Sequence, residues 1–330
     1  MRSLYISQQG CYVSLEQETL IIKQGKTVLG QVQIPHLEQI LVFGKSQITT
    51  QVIRACLWRN IPIAYLSRMG YCYGRILPIE RGYRQLSRYQ QQITLVEQLL
   101  VARQIVRAKL KNSRVILQRQ QRRQSSNIII AAIQSLEYLI EKVDRATTVE
   151  QLMGLEGAGA SQYFSAFGEC INSAEFVFAG RSRRPPGNPV NAMLSFGYQV
   201  LWNHLLAMIE IQGLDPYYAC LHQGTERHAA LASDLIEEFR APIVDTLVLW
   251  LINRHIIDAQ NDFVHHNGGY YLNDSGRSKY IKAFVQRMEE EIQIDPEEKQ
   301  PKWDLLTQQI KAYKQFIYQP IQLYQPYQIR

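Results

Sequence analysis

The chain has 330 residues, of which 46% are hydrophobic and 20% charged, and a formal net charge of +7. That composition belongs to a globular protein large enough for two domains and excludes a mostly disordered chain. The longest apolar stretch, from Ile243 to Ile257, is broken by Asp245, Thr246, Asn253, Arg254 and His255, so nothing reaches the roughly 20 apolar residues of a membrane span.

From Ser3 to about Leu77, β-rich runs predict short strands at Ser3–Ile6, Thr19–Ile22, Thr27–Ile34, Gln39–Phe43, Ile61–Leu66 and Tyr71–Leu77. Gln24-Gly25 and Met69-Gly70 read as their hairpin turns. One helix is expected among them, with Ser46 as N-cap and Ile48, Val52, Ile53, Cys56 and Leu57 at helical spacing, which is most simply a core pattern. After Arg84 the patterns lengthen to helices over Leu86 to about Arg123 and over Asn127 to Val143. Asn188-Pro189 then caps a helix that Gly213 should stop. The stretch from Ala229 to Ile257 should be kinked or divided by Pro242, which removes a backbone donor and clashes with the preceding turn. Asn267-Gly268 between apolar runs predicts a hairpin over Val264–Leu272, followed by a helix from Lys279 to Ile292. The expected fold class is α+β: a small β-sheet domain over 1–84, a larger and mostly helical domain over 85–318, and a flexible Gln/Tyr/Pro-rich tail over 319–330.

No secretory signal is expected at the start of the chain. Five scattered cysteines without a Cys-x-x-Cys pair suit a reducing cytoplasm with no membrane. Charge is uneven: the segment from Arg81 to Arg123 holds eleven Lys or Arg residues against one acid, Glu97, a local excess larger than the net charge of the whole chain. Such an excess fits a polyanion-binding surface better than a solvated helix face. Candidate nucleic-acid contacts are Arg84, Arg103, Arg107, Lys109 and Lys111, with Arg181, Arg183 and Arg184 further on.

Three places offer ligands for a hard divalent cation. Glu156 lies in the small-residue run Leu155-Glu-Gly-Ala-Gly-Ala160, with Tyr163 on the same helical face. His222 follows Tyr217-Tyr-Ala-Cys-Leu in an expected loop. Asp234, Glu237 and Glu238 share one side of an expected helix, where Arg240 could pair with one of them. Each alone is explained as readily by an ordinary solvent-exposed side chain, and spacing does not unite them.

Leu155-Glu156-Gly, Gly213-Leu-Asp-Pro216 leading to Leu221-His222, and Leu235-Ile-Glu237-Glu-Phe-Arg240 resemble, in that order, the CRISPR-associated integrase family. So do Arg183-Arg-Pro-Pro-Gly-Asn-Pro189 with Val190–Tyr198, and Tyr270-Tyr-Leu. The resemblance implies an N-terminal β domain for dimerisation and a helical catalytic domain, with Glu156, His222 and Glu237 as catalytic metal ligands and Asp234 as the supporting acid. It also implies Mg2+ or Mn2+ as the ion, in keeping with two carboxylates and an imidazole, and double-stranded and branched DNA as substrate. A homodimer bridged by a small ferredoxin-like CRISPR-associated subunit, inserting spacers by 3′-OH attack on a phosphodiester, completes the expectation. Two rivals stand beside it: a non-catalytic nucleic-acid binder, and a zinc hydrolase built on Cys220, His222 and His228.

Overall fold

A computed structural model describes residues 2–67, 71–79, 83–124, 126–225, 228–295 and 298–329. The N-terminal part contains β1 (Arg2–Ile6), β2 (Cys11–Glu16), β3 (Thr19–Gln24), β4 (Thr27–Gln33), β5 (Leu37–Phe43), β6 (Gln47–Ile48), α1 (Thr50–Trp58), β7 (Ile63–Leu66) and β8 (Cys72–Ile76). They build two four-stranded sheets, ordered β1-β5-β7-β8 and β4-β3-β2-β6. Strand β2 was not foreseen, and the Met69-Gly70 turn lies outside the described residues. The cap of α1 is Thr49, whose side chain accepts from the Val52 amide. Ser46, the expected cap, instead donates to the Gln8 carbonyl and accepts from the Cys11 amide.

Successive side chains on a strand face opposite ways, and β5 uses both faces. Ile40 and Val42 join Ile6, Val13, Leu20 and Ile63 in a core between the sheets. Leu41 and Phe43 join the much larger core of the helical part, together with Ala64 and Leu66 of β7. The seam is aromatic: Tyr5 stacks on Trp303 at 4.9 Å between centroids, and Phe43 on the buried His204 at 5.1 Å.

The helical part runs α2 (Tyr83–Gln92), α3 (Leu95–Gln121), α4 (Asn127–Val143), α5 (Val149–Phe167), α6 (Pro189–Ile211), α7 (Ala230–Ile236) and α8 (Thr246–Asn253), then β9 (Phe263–His266), β10 (Gly269–Leu272), α9 (Asp274–Glu289), β11 (Glu291–Asp295), β12 (Glu298–Pro301) and α10 (Lys302–Tyr318). The helix expected from Leu86 to Arg123 is two, because Thr94 and Glu97 form a reciprocal capping box that starts α3 afresh. Between α7 and α8 the backbone makes a π turn over Arg240–Asp245, containing Pro242, so the expected division occurs there. Asn188 caps α6 with Pro189 in its first turn. Asn267 and Gly268 both take positive φ in the β9–β10 hairpin.

Helix α10 was not foreseen, and the tail after it differs from the flexible segment expected. It has no helix or strand, yet Tyr324 is 1% exposed. The Ile329 amide donates to Asn112 Oδ1 at 2.9 Å, and Asn112 Nδ2 donates to the Tyr327 carbonyl at 3.0 Å. The buried Tyr324 and paired backbone groups hold it against the helical part where composition alone suggested solvent. Among the described residues, no helix is long and apolar enough to cross a membrane.

Candidate functional site

Helix α3 is the spine of the site. A Cβ on Gly159 would meet Leu110 Cδ2 at 2.1 Å, so the glycine is what lets α5 lie close against α3. The small residues around Glu156 thus admit a neighbouring helix. That approach brings Glu156 to Lys109, the residue before Leu110, and the two form an ion pair. Lys109 Nζ also lies 2.5 Å from Glu237 Oε2. Two of the three expected metal ligands therefore meet at one ammonium.

His222 lies in the irregular segment between α6 and α7, which a single buried carboxylate shapes. Asp234 Oδ2 accepts from the amides of Cys220 and Leu221 at 2.7 and 2.8 Å, and Oδ1 from the amide and Nδ1 of His222 at 2.9 and 2.8 Å. An aspartate that already accepts from three amides acts as acceptor to the ring too, so Nδ1 carries the proton and Nε2 keeps its lone pair when the ring is neutral. Burial pulls the His222 imidazolium down, but the hydrogen bond and charge of Asp234, helped by Glu237, outweigh it and raise the pKa overall.

Glu237 and Glu238 follow α7 where the chain turns into the π segment, and they face different surroundings. Burial pushes the Glu237 carboxyl up, but Arg240 and Lys109 outweigh that and hold it below the usual carboxylate range. Arg240 Nη2 is 3.1 Å from Glu237 Oε1, and its guanidinium lies 4.9 Å above the Tyr198 ring. The pairing anticipated for Arg240 is therefore present. Glu238 accepts from Gln309 Nε2 at 2.8 Å and from the Tyr324 hydroxyl and Tyr327 amide, so it anchors the tail, while burial lifts its pKa to about 8.

The donor chemistry of Glu156, Glu237 and His222 fits a divalent cation, with two carboxylates and an imidazole whose other nitrogen is already oriented. Their arrangement is a different matter: among the described residues no three His, Cys, Asp or Glu side chains are gathered to hold a metal. The zinc alternative gains nothing. Burial lifts the Cys220 thiol to about 12, and His228 Nε2 contacts Ser233 Oγ at 3.1 Å while its ring stacks on Trp202.

Most of the basic residues expected to meet DNA are used inside the fold. Arg103 donates to the Ala146 carbonyl through Nε at 3.1 Å and through Nη2. Arg107 pairs with Asp144 and Arg114 with Glu137, and Lys111 reaches Gln328 at 3.4 Å. Lys109 is 8% exposed, which corrects its assignment as a surface contact. Its ion partners come from α5 and the α7 junction, beyond any window of linear charge counting. Arg181 is likewise internal, donating to Asn191 Oδ1 and Ser195 Oγ at 2.8 and 2.9 Å. The Arg84 side chain lies outside the described residues. Arg183 and Arg184 are exposed. They line a groove with Phe196, Tyr271 and Arg277, and Arg183 also lines the small cavity that holds Lys109, Glu237 and Arg240.

Residues 4–286 match the family described as CRISPR associated protein Cas1. A Cas4/Cas1 fusion from Geobacter sulfurreducens, called a CRISPR-associated exonuclease/endonuclease, is 33% identical over 88% of the chain, which spans 53% of that fusion. A CRISPR-associated endonuclease Cas1 from Chlorobaculum tepidum is 33% identical over 89% of the chain and 88% of its own length. A solved chain of a partial Cas6-RT-Cas1–Cas2 complex superposes with a TM-score of 0.85 at 25% identity, covering 100% of this chain and 99% of that one. With its N-terminal sheets, helical C-terminal part and a family match over residues 4–286, the chain belongs to the Cas1 family of CRISPR-associated endonucleases.

Proposed function

We propose that this chain is a divalent-metal-dependent DNA endonuclease and strand transferase that inserts spacer DNA into CRISPR arrays. One observation carries the reading: Glu156 and Glu237, far apart in sequence, meet at Lys109, while Asp234, one turn before Glu237, fixes His222. Glu156 and Glu237 would supply oxygen donors and His222 its Nε2 lone pair. A bound Mg2+ or Mn2+ would polarise the scissile phosphoryl group and lower the pKa of an attacking hydroxyl.

In the proposed step a DNA 3′ oxygen bonds to phosphorus as the bond to the leaving 3′ oxygen breaks. The hydroxyl proton leaves the attacking oxygen and a proton returns to the leaving one. One phosphodiester replaces another, so no nucleotide cofactor is consumed. Positioning and charge neutralisation are then the protein's main tasks, and the exposed Arg183 and Arg184 beside the site suit backbone phosphates. A homodimer bridged by a small ferredoxin-like CRISPR-associated subunit fits this reading, and the solved relative named above comes from a complex that also contains Cas2.

The test is incubation of the purified chain with branched DNA bearing a 3′-OH, in Mn2+ with and without EDTA. Joined strands that disappear with EDTA and with Glu156→Ala are expected. DNA binding without joining under every metal condition would favour a non-catalytic binder.

A further inference from the structure

We infer that Lys109 is the resident cation of the Glu156–Glu237 pair and leaves it before a divalent metal enters, which makes it a positioning residue that sets metal affinity. The inference rests on the metal-site reading given above. Lys109 is buried in α3, with Val106, Ala108 and Leu110 buried around it. A charge so placed is tolerated only when paired. Its partners are the two expected carboxylate ligands, at 2.5 Å from Glu237 and in an ion pair with Glu156.

An ammonium has three donors and no acceptor, so it occupies the same carboxylate lone pairs that a divalent cation takes. The two cations compete for one place. Holding the carboxylates together without metal relieves their mutual repulsion, and the same contacts oppose metal entry until the ammonium withdraws.

The second cation on Glu237 is placed differently. Arg240 is fixed by its contact at 3.1 Å to Glu237 and by the Tyr198 ring 4.9 Å beneath it. A planar guanidinium stacked in this way has little freedom, whereas lysine carries a compact charge on a flexible four-carbon stem. Of the two, Lys109 is the exchangeable cation and Arg240 the permanent one.

Mn2+ binding to the full chain, followed by the paramagnetic resonance of free Mn2+, tests this without reference to joining. Lys109→Met should bind Mn2+ roughly tenfold tighter than wild type, of the size by which neighbours of metal ligands shift affinity. Lys109→Arg should bind no tighter than wild type. Without metal Lys109→Met should melt below wild type, and saturating Mn2+ should raise its Tm by more. Lys109→Gln carries the same expectations should the methionine variant fail to fold. Unchanged or weaker Mn2+ binding in a folded Lys109→Met or Lys109→Gln overturns the competing role alone. Absence of Mn2+ binding in wild type and variants alike overturns the metal-site reading and this inference with it.

Discussion

Asp234 holds His222 twice, by its backbone amide at 2.9 Å and by its ring Nδ1 at 2.8 Å, while taking the amides of Cys220 and Leu221 on its other oxygen. Every one of these partners is a donor. In Asp234→Asn one oxygen becomes an NH2, which then faces either two amide donors or the His222 side. Facing amides, it leaves buried groups unsatisfied at a cost of about 1–3 kcal/mol each. Facing the imidazole, it donates to Nδ1, which puts the ring proton on Nε2 and removes the lone pair a metal would use. Asp234→Asn should therefore lower the Tm and weaken Mn2+ binding about 10- to 100-fold, with joining partly restored at high Mn2+. Normal Mn2+ affinity would show that Asp234 shapes the loop without tuning the ligand.

The tail makes a second prediction. Glu238 receives the Tyr324 hydroxyl, the Tyr327 amide and Gln309 Nε2, and two of those donors belong to residues 319–330. Removing that segment leaves a buried carboxyl short of partners and bares the Phe239 ring on which Tyr327 stacks at 5.7 Å. The truncated chain should lose about 3 kcal/mol or more in urea unfolding, since each buried polar group left without its hydrogen-bond partner costs about 1–3 kcal/mol. Glu238→Leu in the truncated chain should recover part of the loss, because no buried carboxyl is then left without hydrogen-bond partners.

How much of this was legible in the sequence differs by element, for physical reasons. Asn188-Pro189, Asn267-Gly268 and Pro242 act through local backbone chemistry, and each marks a boundary the structure contains. Thr94 with Glu97 carried an equally local capping signal, overlooked because the flanking helical periodicity runs on across it. The charge excess from Arg81 to Arg123 does not tell which of its residues stay available, since Arg107, Arg114 and Lys109 spend their charge on Asp144, Glu137, Glu156 and Glu237 from distant parts of the chain. Lys109 did leave a trace: it stands three and four residues from Val106 and Ile105, on the buried stripe of α3. A lysine inside an apolar stripe calls for a carboxylate partner, and its partners are the two expected ligands.

Acid should loosen the seam between the sheets and the helical part. His204 is 2% exposed, and burial holds its pKa at about 4 against 6.5 for the free side chain. The folded state thus resists protonation that the unfolded chain accepts. Its contribution is fully present above about pH 6.5 and is lost as pH falls toward 4, up to about 3 kcal/mol at about 1.4 kcal/mol per unit. Urea unfolding at pH 7 and pH 5 should show the loss, and His204→Leu should flatten the difference while keeping the ring contacts of Phe43 and Trp303 with each other. An unchanged pH dependence in that variant would place the acid sensitivity elsewhere.

The final prediction separates the basic residues that hold the fold together from those that face DNA. Arg103 and Arg107 spend their guanidiniums on the Ala146 carbonyl and on Asp144, so neutralising them removes internal contacts. Arg183 and Arg184 are exposed on a groove that also carries Arg277 and the ring of Tyr271, and Arg183 opens onto the cavity of Glu237. Each phosphate contact contributes about 0.9 to the slope of log affinity against log salt on duplex DNA. Arg183→Gln with Arg184→Gln should flatten that slope by up to roughly 1.8 and weaken binding to unrelated sequences alike, with little change in Tm. Arg103→Gln with Arg107→Gln should do the reverse, lowering the Tm while leaving the slope where it was. A flattened slope in the second pair and none in the first would mean that DNA lies along α3, with its internal contacts opened on binding.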